Sequence, residues 1–254
     1  MTALLVSHPG HELRIHHWME LTRPVVFVIT DGSGHTGSSR LATTTAVLER
    51  VGATPGSVYG RMSDREIYAA MMRGDQRLFT DLARELSDAF VRLGVREIAC
   101  DAAEGYNPSH DVCRYIAEAA ATLASASGGT LPGYDFPLVA APTACPPHLR
   151  DRAWTVQLDE GALDRKIAAA RGYEEIAGDV DRTLAAYGRA AFLVESLRPF
   201  EPMGLEPPGN DPPFYEQHGE RQVAAGHYTQ VLRFRDHVRP VAAALRALTT
   251  VVTP

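Results

Sequence analysis

The stretch ALLVSHPGHE, residues 3–12, decides the fold of this chain. Its first half, ALLVS, is a short apolar run that ends abruptly at a Pro-Gly turn, as a buried strand does. A second run, VVFVIT at residues 25–30, is continuous, rich in β-branched residues and followed by Asp31-Gly32. A run that is apolar on both sides of the pleat predicts a strand with both faces covered, as in a parallel sheet between helices.

Outward from these runs, strand, loop and helix alternate three times in the first half of the chain. A third strand is predicted at residues 97–101, and helices are predicted at residues 12–22, 40–51, 77–93 and 110–124. This alternation is typical of βαβ units with right-handed crossovers. We therefore predict an α/β fold with a Rossmann-like, mostly parallel sheet covered by helices on both faces.

The second half of the chain is less regular. It predicts a strand at residues 154–158 and helices at residues 162–173, 181–197 and 231–248. The Pro-rich segment 199–230 precedes too little chain to separate two domains. We predict one domain over residues 1–254, with segment 199–230 as a cover or an oligomer contact within it.

Composition limits the partners of the chain. The formal net charge is −6, 45% of the residues are hydrophobic, and no basic stripe suits a nucleic-acid backbone. Three scattered cysteines, Cys100, Cys113 and Cys145, suit neither a disulfide framework nor a thiolate zinc site. No secretory signal and no apolar run of about 20 residues is seen. We expect a cytoplasmic protein with a small-molecule substrate and no membrane contact, and the oligomeric state, a homo-oligomer included, stays open.

Histidines are the candidate metal ligands. His8 and His11 lie three residues apart across the turn after the first strand, and His110 opens a helix after a separate strand. Ligands gather beyond the carboxyl ends of parallel strands, so the three imidazoles can converge on a borderline ion such as zinc. Taken alone, a histidine pair at this spacing is more often incidental or structural.

Several motifs in the same order resemble the LmbE/PIG-L family of metal-dependent N-deacetylases. They are ALLVSHPGHE (3–12), VVFVITDG (25–32), Arg40, GYNPSHDVCRYIAEAA (105–120) and LDEGALDRKIAAARGY (158–173). The family has His-Pro-Asp-Asp-Glu, Thr-Asp-Gly and His-Pro-Asp-His motifs at the first, second and fourth of these places. The resemblance implies a Rossmann-like fold and one divalent metal, zinc before others, held by His8, His11 and His110.

The chain departs from the family at the acid–base positions. The family's general base falls on Gly10, its oxyanion-stabilising histidine on Asn107, and the neighbouring aspartate on Ser109. Glu12 and Asp111 flank the proposed ligands and are the nearest candidates to accept a proton, with Asn107 assisting the oxyanion. Both acids also suit an ordinary role at a helix N-terminus.

Three further residues form the predicted substrate-binding set: Asp31, Arg40 and Asp64. Asp31 is equally well explained as a turn residue before glycine, and Arg40 as a residue that closes the Gly/Ser-rich loop. For Asp64 the sequence offers no local pattern that separates a structural role from a functional one.

The resemblance implies a metal-dependent amidohydrolase that acts on an N-acyl amino sugar or a similar small polar metabolite. In that reaction a metal-bound water attacks the amide carbonyl. Secondary metabolism is the expected setting. Because both Gly10 and Asn107 depart from the family, the alternative is a divergent member without deacetylase activity, which binds a metabolite or runs another reaction at a three-histidine metal site.

Overall fold

The computed structural model describes residues 1–34 and 37–250, and its centre is one seven-stranded sheet. The strands are β1 Thr2–Val6, β2 Val25–Thr30, β3 Thr54–Met62, β4 Glu97–Asp101, β5 Gly133–Phe136, β6 Trp154–Gln157 and β7 Val194–Pro199. Their order across the sheet is β3-β2-β1-β4-β5-β7-β6. The first five in this order are parallel, whereas β7 pairs antiparallel with β5 and β6. The predicted mostly parallel α/β sheet is confirmed.

The chain reverses its direction across the sheet between β1 and β4. It runs from β1 to β2 to β3 and then crosses back to place β4 on the other side of β1. Such a switch point leaves a crevice outside the carboxyl ends of the two central strands. The turn His8–His11 leaves β1 at this crevice, and the loop before His110 leaves β4 at the same edge.

Helices cover both faces of the sheet. They are α1 His16–Thr22, α2 Leu41–Val51, α3 Asp64–Met72, α4 Gln76–Leu93, α5 Pro108–Gly128, α6 Glu160–Arg171, α7 Ala177–Tyr187, α8 Phe214–Ala224 and α9 Arg239–Thr250. Alternate residues of β1 point to opposite faces: Leu5 packs in a core with α4, α5 and α9, and Leu4 in a core with α1, α2 and α6. The two cores bury the central strands on both sides, as their continuous apolar runs predict.

A buried ion pair joins the late strand β7 to the rest of the fold. Lys166 Nζ lies 2.8 Å from Glu195 Oε1 and donates to the backbone oxygen of Arg14 at 2.6 Å. Glu195 also accepts the backbone N–H groups of His17 and Trp18 at the start of α1. One carboxylate therefore connects β7, α6 and α1.

Two sequence predictions need correction. The predicted helix over residues 181–197 is wrong: α7 ends at Tyr187, a 3-10 turn follows over Arg189–Leu193, and the chain then forms β7. The 12–22 helix begins instead as a 3-10 turn over His11–Ile15 before α1. None of the helices in the described part of the chain combines the length and apolar character needed to cross a membrane.

Candidate functional site

Three histidine rings meet at the switch point between β1 and β4. The ring centroids of His8 and His11 lie 5.3 Å apart, those of His8 and His110 5.2 Å, and those of His11 and His110 4.6 Å. His8 and His11 come from the turn after β1, and His110 from the first turn of α5. The structure thus brings the three predicted metal ligands together.

Three polar side chains contact the His8 ring, and one of them is Thr30, whose Oγ1 lies 2.8 Å from Nδ1. His8 Nδ1 also lies 2.8 Å from Asp64 Oδ1, and its Nε2 lies 2.6 Å from Ser109 Oγ. Asp64 also accepts hydrogen bonds from Thr30 Oγ1 at 2.5 Å and from the Gly34 backbone N–H at 2.6 Å. Burial lowers the pKa of His8, although the hydrogen bond to Asp64 opposes this shift.

Asp64 is a partner of His8 in the structure, and its predicted substrate binding stays a prediction. Both of its carboxylate oxygens are occupied by protein donors. Burial pushes its pKa upward, but the hydrogen bonds and charge of His8 and the hydrogen bond of Thr30 outweigh burial and hold the pKa below its ordinary value. Asp64 stays ionised at neutral pH and orients the His8 ring.

Asp101 holds His11 in the same way, although it is not among the residues predicted from the sequence. This fully buried residue ends β4, and its Oδ2 lies 2.9 Å from His11 Nδ1. The same oxygen accepts the backbone N–H of Ser7 at 2.8 Å and the Ser7 hydroxyl at 2.7 Å. One feature of the sequence could have pointed to Asp101: it is the acidic residue that ends the apolar run EIACD, and this run forms the strand next to the first strand.

His110 supplies the third ring without a second polar partner. Within the described residues its ring nitrogens have no hydrogen bond, and burial together with His11 and His8 lowers its pKa well below the ordinary value. Its imidazole is thus neutral, with a lone pair available to a ligand. Two rings backed by carboxylates and a third free ring are a donor set that suits a divalent metal such as zinc.

The three imidazoles are chemically suitable ligands for a divalent metal, but in this structure their nitrogens do not yet surround a common point. In residues 1–34 and 37–250, no group of three histidine, cysteine or acidic side chains surrounds a common point at metal-binding distance. The contact between His8 Nε2 and Ser109 Oγ is one reason, because an ion would compete with Ser109 for that nitrogen.

The two carboxylates predicted to accept a proton contact the protein backbone instead. Glu12 accepts the Gly10 N–H at 2.7 Å and the Thr44 hydroxyl at 2.8 Å, and burial raises its pKa. Asp111 accepts the N–H groups of Glu104 and Gly105 at 3.0 and 3.1 Å, and burial raises its pKa to about 8. These contacts favour the ordinary roles of the two acids, which hold the turns that carry the histidines.

Asn107 caps α5 and lies beside the histidines. Its Oδ1 accepts the Ser109 N–H at 2.9 Å, the Ser109 hydroxyl at 2.7 Å and the Tyr68 hydroxyl at 2.9 Å. In the described part of the chain its Nδ2 has no acceptor, so this amide can still donate a hydrogen bond. The predicted role of Asn107 at an oxyanion is compatible with this geometry.

Asp31 and Arg40 close the loop after β2. Asp31 Oδ1 accepts the Ser33 N–H at 2.9 Å, and its backbone oxygen accepts the Arg40 N–H at 2.8 Å. Arg40 Nε donates to the backbone oxygen of Gly32 at 2.5 Å. Their contacts favour the structural interpretation of both residues, and their predicted substrate binding stays a prediction.

Gly10 has a conformation and a neighbourhood that disfavour a side chain. Its φ is 102°, in the region that favours glycine, and a Cβ there would lie 3.2 Å from Ile176 Cδ1. The ring of Tyr173 lies on the same side, and its hydroxyl donates to the backbone oxygen of Arg40 at 3.0 Å. Side chains from beyond α6 therefore fill the space next to Gly10.

Comparison with solved structures supports the fold. The conserved protein TT1542 from Thermus thermophilus is 15% identical, with a TM-score of 0.54, over 80% of this chain and 95% of that one. The zinc-inhibited form of teicoplanin deacetylase Orf2 is 12% identical, with a TM-score of 0.51, over 78% of this chain and 97% of its own. A deacetylase–bog complex from the teicoplanin biosynthesis pathway has 12% identity, the same coverage and a TM-score of 0.52.

No protein-family model and no curated protein matches the sequence. The class that fold and site define is thus an α/β protein with a histidine cluster at its switch point. At these identities the structural likeness establishes the fold alone.

Proposed function

We propose that this chain is a metal-dependent hydrolase of amide bonds, of the LmbE/PIG-L type, which removes an acyl group from the nitrogen of a small polar compound such as an N-acyl amino sugar. The observation that carries the proposal is the cluster of His8, His11 and His110, two of them backed by buried carboxylates. The fold shared with teicoplanin deacetylase Orf2 supports it.

The three histidines would hold the ion, zinc before others. A bound zinc ion supplies a Lewis acid that polarises a carbonyl and lowers the pKa of water toward neutrality. Asp64 and Asp101 fix the rotation and the tautomer of His8 and His11 through their Nδ1 atoms.

The protein's own groups then orient the substrate. Asn107 Nδ2 donates a hydrogen bond to the acyl oxygen, where negative charge develops. The same oxygen faces the N-terminus of α5, whose dipole favours negative charge. With Gly10 in place of an acid, and with Glu12 and Asp111 bound to backbone N–H groups, the proton of the attacking water would pass to solvent rather than to a dedicated carboxylate.

The test measures metal content by elemental mass spectrometry, and amine release from N-acetyl amino sugars and N-acetyl dipeptides. We expect about one divalent ion per chain in the wild type. In His110→Ala we expect loss of the ion and a fall in amine release of about 100-fold or more. His148→Ala is the matched control, because the His148 side chain is 62% exposed and pairs with Glu201. A metal-free wild type whose turnover resists chelators contradicts the proposal.

A second candidate function rests on the contact between His8 and Ser109. Ser109 Oγ, His8 and Asp64 form a continuous array with separations of 2.6 and 2.8 Å, in the order of a nucleophile, a base and an orienting acid. The Ser109 hydroxyl donates to Asn107 Oδ1 in the structure and would turn to His8 Nε2 for this chemistry. In such acyl transfer Ser109 Oγ bonds to the acyl carbon and its proton moves to His8 Nε2. The C–N bond then breaks as that proton passes to the leaving nitrogen, and water hydrolyses the acyl-serine.

Ser109→Ala separates the two candidates. The metal-dependent hydrolase keeps its ion and most of its turnover in this variant, because the substitution releases His8 Nε2. The acyl-transfer enzyme loses about 1,000-fold or more in turnover. Ser57→Ala, at an exposed position of β3, is the control. Mass-spectrometric detection of an organophosphonate adduct on Ser109 in the wild type would favour acyl transfer.

A further inference from the structure

Four aromatic side chains form a continuous surface row, which we name the aromatic strip: Tyr106, Phe214, His218 and Tyr228. Tyr106 and Phe214 stack in parallel, with ring centroids 4.7 Å apart and an interplanar angle of 5°. His218 continues the row 6.1 Å from Phe214, and Tyr228 lies 6.5 Å further on.

The strip is exposed although aromatic rings usually lose their surface on folding. Tyr106 is 44% exposed, Phe214 38% and Tyr228 52%. A single exposed aromatic residue needs no explanation, whereas a contiguous group of them marks a binding surface. Arg221 lies over the Phe214 ring at 5.7 Å. Tyr106 is at the other end of the row and is 44% exposed, so it is the ring on which a ligand can stack.

The strip begins on the loop that leads into α5, the helix that carries His110. Tyr106 immediately precedes Asn107, and the Phe214 N–H at the start of α8 donates to the backbone oxygen of Gly105 at 2.8 Å. Tyr68 donates to Asn107 Oδ1 at 2.9 Å, so the residue that follows Tyr106 is held from the side of α3. The strip and the histidines thus share the loop before α5.

The loop holds the strip in a fixed position. A Cβ at Gly105 would clash with the backbone oxygen of Pro208, and one at Gly209 would lie 3.0 Å from the backbone oxygen of Glu104. The segment 199–230 is therefore packed closely against the loop, and the rings are preorganised rather than dependent on closure.

We infer that the aromatic strip is a substrate subsite for a ring with a flat apolar face, a sugar or an aromatic ring, attached to the acylated nitrogen. The inference rests on the proposed function for the position of the acyl group at the histidines. A ring stacks on the outer face of Tyr106, while the Tyr228 hydroxyl and His218 offer hydrogen-bond partners to its substituents.

The size of the effect follows from ring stacking. An aromatic pair contributes about 0.5–1.5 kcal/mol beyond the area it buries, which corresponds to about 2- to 13-fold in affinity. Removal of the Tyr106 ring should therefore weaken a ring-bearing ligand by about 3- to 10-fold and leave an acyclic ligand unchanged.

The experiment measures binding by ligand-observed NMR and calorimetry to the full chain. The probes are the methyl and phenyl glycosides of N-acetylglucosamine, with N-acetylethanolamine as the acyclic probe. Tyr106→Leu removes the flat face, and Tyr106→Phe is the matched control because it keeps the face and removes the hydroxyl. We expect Tyr106→Leu to weaken ring probes selectively and Tyr106→Phe to bind them as the wild type does.

Each outcome bears on the inference. Equal weakening of both glycosides assigns the subsite to a sugar face, and weakening of the phenyl glycoside alone assigns it to an aromatic ring. Four results would overturn the inference. They are equal affinity of all three probes, no binding of either glycoside at about 10 mM, an equal loss of affinity in Tyr106→Phe, and a wild-type dimer that Tyr106→Leu dissociates. The measurements are repeated in His110→Ala: ring binding that depends on Tyr106 there supports the subsite even if no amine release is ever detected.

Discussion

Replacement of Asp101 by alanine tests how strongly the candidate site is tied to the fold. Asp101 is fully buried at the end of β4, and its Oδ2 receives the Ser7 N–H at 2.8 Å, the Ser7 hydroxyl at 2.7 Å and His11 Nδ1 at 2.9 Å. Alanine leaves these three groups without their acceptor, and the two groups of Ser7 are fully buried.

The expected loss of stability follows from these three contacts. A hydrogen bond to a charged group contributes about 1.5–3 kcal/mol, and a buried donor left without a partner costs about 1–3 kcal/mol. The contacts share one oxygen and are not additive, so we expect Asp101→Ala to lower the free energy of unfolding by about 3–5 kcal/mol. Asp101→Asn keeps an acceptor for Ser7 and should cost less, about 1–2 kcal/mol.

The assay is urea unfolding followed by the fluorescence of Trp18 and Trp154. Asp81→Ala is the control: its side chain is 52% exposed and its ion pairs lie on the surface of α4, so a change within about 0.5 kcal/mol is expected. Metal affinity, measured in parallel, should fall about 10- to 100-fold in Asp101→Asn. A loss below about 1 kcal/mol in Asp101→Ala would refute the reasoning, because the carboxylate would then not hold the turn that carries His11.

Two further predictions concern Gly10 and Glu20. Gly10→Asp should destabilise the protein by about 1–3 kcal/mol in the same unfolding assay, because φ is 102° and Ile176 lies 3.2 Å from the new Cβ; unchanged stability would mean that the turn adapts. The hydrogen bonds of Arg165 first, and then of His17, lower the pKa of Glu20 from 4.5 to about 2. Because this pKa is lower in the folded state, the pairing stabilises the protein above pH 4.5, and the contribution is lost as the pH falls toward 2. Glu20→Gln should flatten the pH dependence of stability in that window by a small amount, since the pair is partly exposed to solvent; equal slopes in the two proteins would contradict the assignment.

The second half of the chain shows where prediction from sequence fails. The run FLVESL at residues 192–197 is apolar enough for a helix or a strand, and its periodicity alone favours neither. In the structure its last four residues pair with β6, Glu195 is paired with Lys166, and the two residues that follow the run pair with β5. Strand β3 was not predicted for another reason. It is a half-exposed edge strand that contains Pro55, Gly56 and Gly60, and proline and glycine argue against a strand in a sequence pattern.

The sequence by itself determined the buried strands β1, β2 and β4 and the meeting of His8, His11 and His110. There are two reasons. Continuous runs of β-branched residues indicate strands that are buried on both faces, and the carboxyl ends of adjacent parallel strands meet at one edge of the sheet. Only the tertiary structure decided which acids serve these histidines. Asp64 lies 56 residues from His8, and Asp101 lies 90 residues from His11, so no local pattern records either pairing. Glu12 and Asp111, which are adjacent in sequence to the histidines, accept backbone N–H groups instead, because a buried polar side chain bonds whichever partners the packed chain leaves unpaired.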